Sequence, residues 1–303
     1  MANITAKDVA ALRERTGVGM MDCKKALVEA EGDFEKAIVI LREKGLATQA
    51  KKAGRVAAEG LVAALVEGNV GVVVEVNSET DFVANTEQFK NFVDMVAKTI
   101  IEANPADVDA LKAAKAYGSE KTVEEELQEV FLQIRENIQI RRFTRLEGDI
   151  VSYVHGNGRI GVLVKLDTDL GEKSYAAGKD VALQIAAMNP SYLDRTKVPA
   201  DVLDGEKKII MAQMAEDPKM ANKPEAVLSK IAEGKIGKYY TENCLVDQEF
   251  VKDGSFTVGK YVEHCAKELG GSIKIADYVR YERGEGIAKR EDNFADEVAS
   301  MIK

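Results

Sequence analysis

Helical and strand periods alternate along this chain, and each change of period marks a different kind of element. Within the first 45 residues the apolar positions recur at three- and four-residue spacing in three short groups. Thr5-x-x-Asp8 has the form of a capping box ahead of Val9 and Leu12, and Thr16-Gly17-Val18-Gly19 breaks that helix. Asp22 is placed to cap a second helix carrying Ala26, Leu27 and Ala30. Gly32-Asp33 opens a third, with Phe34, Ala37, Ile38 and Leu41 on one side and an end at Lys44-Gly45. So small a core suits a module that presents a surface rather than one that encloses a pocket. Residues 47–60, ATQAKKAGRVAAEG, carry Val56 as their one large apolar side chain beside Lys51, Lys52 and Arg55. They read as a solvated linker, extended or helical.

Past the linker the period shortens to two, and the pattern occurs twice. Glu59-Gly60 leads to Gly68-Asn69 and then to Gly71-Val72-Val73-Val74-Glu75-Val76; Glu147-Gly148 leads to Gly156-Asn157 and then to Gly161-Val162-Leu163-Val164-Lys165-Leu166. Each unit predicts a strand, a glycine turn and a second strand. A third strand recurs as well: 138–147 and 273–282 share the pattern I-x-I-x-x-aromatic-x-Arg-x-Glu. Helical sequence separates hairpin from third strand in both copies, which predicts two related α+β subdomains, each an antiparallel sheet on helices.

The second copy carries about 45 additional residues, placed at about 201–246. Val202, Leu203, Ile209, Ile210 and Met214 suit one helix. After Pro218 and Pro224, a second carries Val227, Leu228, Ile231, Ile236 and Tyr239. Such a helical hairpin either packs back on the body or meets a partner, a second copy of this chain included. At the far end, Phe294, Val298, Met301 and Ile302 lie on one face of a terminal helix. The expected organisation is a three-helix module at 1–46, a linker at 47–58, core subdomains at 59–146 and 147–284, and a helical segment at 285–303.

Composition narrows the function classes. With 51 acidic against 42 basic residues the net charge is −9, which argues against sequence-independent nucleic-acid binding, since that needs a basic footprint. The basic linker and Arg141-Arg142 keep an RNA-binding protein as the alternative. No run approaches the length of a membrane span, and 1–5 lack the features of a signal peptide, so a cytoplasmic protein is expected. Three widely spaced cysteines, Cys23, Cys244 and Cys265, support neither a disulfide framework nor a zinc site.

Catalytic motifs are missing. No G-x-S-x-G, H-E-x-x-H, Walker A loop or Rossmann fingerprint occurs, and His155 and His264 lie near no nucleophile pattern. Gly17-Val18-Gly19 resembles a phosphate loop only superficially, because no G-K-[ST] follows and no apolar strand precedes it. Met20-Met21 behind that turn suits either an adaptable apolar contact with a partner or closure of the small core. A comparable choice arises at NSETDFVAN, 77–85, a strand-to-helix corner. Asn85 with Gln88, or Thr80, can supply the helix cap there. Phe82 or Val83 can staple against Phe89 with Asp81 favouring the helix N-terminus, or Phe82 can project as a wedge beside an anion.

Two of these stretches carry a resemblance. Residues 12–27, LRERTGVGMMDCKKAL, and 75–85, EVNSETDFVAN, resemble the two signatures of the translation elongation factor Ts family, and the order of modules fits along the whole chain. Serine at position 78 departs from the cysteine frequent in that family. The resemblance implies a ubiquitin-associated-like N-terminal module and a guanine-nucleotide exchange factor for elongation factor Tu, acting by binding with no covalent step and no cofactor. It implies that Thr80, Asp81, Phe82 and Val83 intrude near the Mg2+ site of Tu and dislodge the ion. Arg13, Met20 and Met21 would grip its nucleotide domain, and His155, Arg159 and Ile160 would meet another of its domains. Neither a membrane nor direct contact with nucleic acid is implied.

Overall fold

The computed structural model describes residues 4–217 and 223–288; the terminal-helix positions Phe294, Val298, Met301 and Ile302 lie outside them, as does Pro218. Three helices open the chain: α1 (Ala6–Thr16), α2 (Met20–Glu29) and α3 (Phe34–Lys52). The capping box forms as expected, with Thr5 and Asp8 bonded reciprocally, and Gly17 closes α1 in the left-handed conformation at φ 68°. Asp33 caps α3. Two details differ from the sequence expectation. Helix α2 begins at Met20 with Gly19 as its cap and Asp22 already inside the first turn, where its charge favours the helix N-terminus. Helix α3 continues past Gly45 to Lys52, because Gly45 is buried where a helix of the core, described below, crosses it. A Cβ there would lie 2.2 Å from Leu132 Cδ2, so the glycine marks a close crossing and not a helix end.

The rest follows the repeat. In the first copy β1 (Glu59–Glu67) and β2 (Val70–Ser78) form a hairpin. Four helices follow, α4 (Asp81–Ala84), α5 (Glu87–Ala103), α6 (Val108–Ala113) and α7 (Val123–Ile134), before β3 (Gln139–Glu147) returns beside β2. In the second copy β4 (Asp149–His155) and β5 (Ile160–Thr168) form the hairpin. Then come α8 (Tyr175–Met188), α9 (Ala200–Glu216), α10 (Glu225–Asn243) and α11 (Val258–Leu269), and β6 (Ile273–Glu282) returns beside β5. The sheets are therefore β1-β2-β3 and β4-β5-β6, all antiparallel, and the class is α+β as expected. The bulge recurs at the same repeat position, Glu75/Val76 against β3 and Lys165/Leu166 against β6.

The two sheets pack face to face with helices outside them. Val72, Val74 and Val76 of β2 face α5, while Val62 and Val73 of this sheet meet Ile150 and Leu163 of the other across the seam. A strand covered on both sides needs no polar face, which explains the unbroken apolar run at 70–74. The contact is reciprocal in the manner of an isologous interface. A Cβ on Gly71 would meet Ile150 Cγ2 at 2.4 Å, and one on Gly161 would meet Val62 Cγ1 at 2.5 Å. Val62 and Ile150 occupy equivalent positions in the two copies, each two residues after the first glycine of its unit. Gly71 and Gly161, the glycines that open the second strand of each hairpin, thus let the sheets approach.

Glu75 lies on the seam side of β2, fully buried. Its carboxylate accepts from Arg141 Nη1 (3.0 Å), Arg142 Nε (2.7 Å), Asn77 Nδ2 (3.1 Å) and the Gly284 amide (2.7 Å). Burial alone raises its pKa, yet the Gly284 amide and the side chains of Arg142, Asn77 and Arg141 outweigh it and hold the group below its ordinary 4.5. The end of β6 is tied to the first sheet at this point.

The N-terminal module docks on α7. Leu132 enters its core beside Leu12, Leu27 and Leu41, and the Arg42–Glu129 (2.9 Å) and Arg135–Asp22 (2.9 Å) pairs flank the contact. Helices α9 and α10 form the inserted arm. Ile210 and Met214 are buried, while Ile209, Met211 and Val227 stay exposed. Among the described residues no helix is long and apolar enough to cross a membrane.

Candidate partner-binding surface

The corner at 77–85 is a one-turn helix, α4, between the end of β2 and the start of α5. A single turn is not stable alone, since helix nucleation fixes several residues for one hydrogen bond. Its surroundings hold it. Thr80 is the N-cap, and its Oγ1 accepts from the Val83 amide at 3.4 Å. Ser78 Oγ donates to the Thr80 carbonyl (2.9 Å), and Asn85 Nδ2 to the Asp81 carbonyl (2.9 Å). Thr86, which sequence reasoning passed over in favour of Asn85 with Gln88, caps α5 through the Phe89 amide. From the far side Glu136 accepts from the Thr80 amide (3.0 Å) and from Thr80 Oγ1 (2.8 Å).

Successive helical positions point about 100° apart, and the corner uses that to separate its two apolar residues. Val83 and Ala84 turn inward and join the core with Phe89. Phe82 turns out and is 82% exposed, beside an exposed Asp81. The staple therefore belongs to Val83, and the aromatic ring projects.

The methionines are resolved in the same direction. Val18, between the two glycines, is fully buried, and Cys23 Sγ donates to its carbonyl at 3.4 Å. With Val18 closing the core, Met20 (43% exposed) and Met21 (64%) are left outside it. Arg13 is exposed on α1.

At the tip of the second hairpin, His155 is exposed and its Nδ1 lies 2.9 Å from Tyr153 Oη. Arg159 reaches Glu282 at 3.1 Å and remains largely solvated. Ile160 is buried in the second subdomain core, so its side chain supports the tip and is not on the surface. A cleft of about 510 Å³ separates this tip from the corner, with Leu61, Leu65, Asn85, Val93 and Val154 among its lining residues. Corner and methionine helix are tied together through the turn after α7: Asp22, next to Met21, pairs with Arg135, and Glu136 holds Thr80. Sequence reasoning missed 135–137. The only signal in the sequence was their position at the end of an amphipathic helix, where any polar residue suits.

The residues that chemistry would need are dispersed. His264 stacks on Phe256 with ring centroids 5.3 Å apart, and the acidic run 124–126 is spent locally: Glu125 completes the capping box of α7, Glu124 meets Lys112 and Glu126 meets Ser119. Among the described residues no group of three or more metal-ligating side chains is gathered.

The fold and site present projecting apolar side chains on a strapped scaffold, a candidate binding surface with no gathered catalytic or metal-ligating groups among the described residues. The family model described as Elongation factor TS matches residues 79–285. Among curated relatives, the elongation factor Ts of Syntrophotalea carbinolica is 49% identical over 305 residues, covering 99% of each chain. That of Clostridium kluyveri is 50% identical over 307 residues, again 99% of each, and that of Clostridium perfringens is 49% identical over 304 residues. The chain belongs to the elongation factor Ts family, which places it among the translation elongation factors of protein biosynthesis.

Proposed function

We propose that this protein is the guanine-nucleotide exchange factor for elongation factor Tu, promoting GDP release by disturbing the Mg2+ and phosphate site of Tu. The observation that carries the reading is the corner itself: Phe82, 82% exposed, stands beside Asp81 on a one-turn helix held by bonds from three sides. The ring enters a groove of Tu while the carboxylate competes with, or repels, the groups that hold the ion. Arg13, Met20 and Met21 grip the nucleotide domain, and His155 and Arg159 reach a second domain with Ile160 supporting them from below.

The mechanism is one of linkage. Mg2+ bridges nucleotide phosphates and protein oxygens. A factor whose wedge is incompatible with the ordered ion binds nucleotide-free Tu more tightly than the GDP form, and by reciprocity weakens GDP by the same factor. Each tenfold loss of nucleotide affinity costs about 1.4 kcal/mol, supplied by the interface. Several modules touching one partner suit that demand, and no bond in either protein is made or broken.

Release of fluorescent GDP from purified Tu, with and without this protein, is the test: acceleration is expected, and unchanged release refutes the reading. The RNA-binding alternative has less support, because four of the five basic residues that suggested it, all but Lys51, are engaged with other groups of the chain. Lys52 donates to the Arg135 carbonyl, Arg55 pairs with Glu79, and Arg141 and Arg142 enclose Glu75. The arm's exposed Ile209, Met211 and Val227 support docking of a second copy. Sedimentation over a dilution series should then show a monomer–dimer equilibrium that Met211→Glu shifts to monomer.

A further inference from the structure

We propose that Arg135-Glu136-Asn137, the turn from α7 into β3, is a positioning clamp that sets the direction of the Phe82 wedge and fixes it relative to the methionine-bearing helix α2; this rests on the exchange reading above.

The turn leaves α7 through a left-handed residue, Arg135 at φ 65°, whose amide donates to the Phe131 carbonyl. Three consecutive side chains then diverge. Arg135 Nη2 bonds Asp22 Oδ2 at 2.9 Å, one residue from Met21, while Lys52 from the end of α3 donates to the Arg135 carbonyl. Asn137, 4% exposed, donates from Nδ2 to the carbonyls of Arg55 (2.8 Å) and Ala53 (3.3 Å), and its amide donates to Glu79 Oε1 at 2.7 Å. The other oxygen of Glu79 accepts from Arg55 Nη1 at 3.2 Å. Glu136 stands between these and receives both donors of Thr80.

Charge-assisted bonds of this kind are short and directional, and the one at Thr80 has a consequence two residues on. With its proton committed to Glu136 Oε1, Thr80 Oγ1 keeps a lone pair aimed at the Val83 amide, which is the cap that makes α4 a helix. Phe82 has almost no packing of its own, so its direction is inherited from Glu136 through Thr80. Removing Glu136 leaves an amide unpaired and frees the hydroxyl to rotate. The ring stays present but is no longer aimed, and misplacement of this order costs rate more than affinity.

The test compares Glu136→Ala, Glu136→Gln, Phe82→Ala and the double variant Phe82→Ala/Glu136→Ala in Tu-bound GDP release. Glu136→Ala should lower the maximal rate about tenfold or more, with the half-saturating concentration within about twofold of the parent, because α2 and the hairpin tip still bind. Glu136→Gln should recover part of the rate: its amide oxygen still accepts from the Thr80 amide, while its NH2 holds Thr80 Oγ1 only through a lone pair and cannot take the hydroxyl proton. The double variant should match Phe82→Ala alone, as expected for residues acting through one another. If the alanine variant does not fold, Glu136→Asp, one methylene too short to reach both donors, carries the same cycle. A parental rate in Glu136→Ala, full additivity with Phe82→Ala, or failure of glutamine to rescue overturns the clamp. Amide hydrogen exchange on the unbound protein reads it without Tu: Glu136→Ala should deprotect the amides of Thr80 and Val83 while those of α5 keep their protection. Unchanged protection overturns the clamp even where the parent accelerates release. A parent that does not accelerate release, with the protection difference intact, overturns the exchange reading instead.

Discussion

Replacing Phe82 by alanine separates two energies that are usually entangled, because the ring is 82% exposed and contributes almost nothing to the folded protein. An enclosed aromatic side chain buries about 150–250 Å², so roughly 160 Å² of this ring is available to a partner. At about 25 cal/mol per Å² the ceiling is about 4 kcal/mol. Ordering and imperfect desolvation lower it, and aromatic hot spots at interfaces commonly cost about 2–4 kcal/mol on truncation. We therefore expect Phe82→Ala to lose about 2–3 kcal/mol of exchange, or roughly 30- to 150-fold in the stimulated rate of GDP release at about 1.4 kcal/mol per tenfold. Stopped-flow release of fluorescent GDP from Tu, over a concentration series of the variant, measures it. Thermal unfolding of the same sample supplies the control, since a surface change of this kind moves stability by only about 0.5 kcal/mol or less. Parental release by a correctly folded variant refutes the wedge. A large fall in melting temperature refutes the premise that the ring is unpacked.

Met20→Ala and Arg13→Ala should instead raise the half-saturating concentration of the factor about three- to tenfold, with the maximal rate little changed; isothermal titration against nucleotide-free Tu checks this, and unchanged affinity counts against the N-terminal contact. Gly161→Val places new carbons where Val62 Cγ1 would lie 2.5 Å and Val73 Cγ2 3.1 Å from the Cβ, so it should destabilise by about 1–3 kcal/mol or more, read as a lower midpoint in urea. Glu75→Gln removes a buried charge from between two arginines and should cost about 3 kcal/mol at neutral pH. The folded pKa of Glu75 is depressed below its ordinary 4.5, so its contribution is complete above that value and is lost as pH falls through the folded pKa. Parent and Glu75→Gln should thus converge in stability below about pH 4.5; a difference that stays constant down to pH 3 argues against the ion network.

Much of the architecture was legible because it was written twice. The two hairpins, the third strands and the insertion all come from comparing the chain with itself, and the structure adds the bulge after Glu75 and Lys165 as a further repeat feature. Capping chemistry was legible at Thr5 and Asp33, whose donors and acceptors lie within one turn. What failed had partners far away in sequence. Gly45 reads as a helix end until Leu132, 87 positions later, is seen to cross it. Nothing in the sequence assigns Glu75 a role, since the amide of Gly284 that it accepts from lies 209 residues away. Glu136 and Asn137 carry no pattern at all, because what they hold, Thr80 and Glu79, lies 56 and 58 residues away.

The corner shows why the choice between staple and wedge could not be made from periodicity. Hydrophobic patterns identify residues that are buried by their own element, and a four-residue helix has too few positions to display a period. Here the burial is done by Val83 and Ala84, which seat the turn on α5 and β2. Orientation is done by polar groups outside the turn, through Thr80 and Glu136. Phe82 takes part in neither, so its direction is a by-product of forces acting on its neighbours. A side chain exposed in that way contributes little to folding, and the surface it keeps in water remains available for a partner. That division of labour makes a rigid projection out of a segment that has no intrinsic rigidity. It also predicts where changes in function without loss of fold will fall: at Phe82, the proposed wedge, and at Glu136, proposed to aim it, rather than at Val83, whose loss would first be felt as instability.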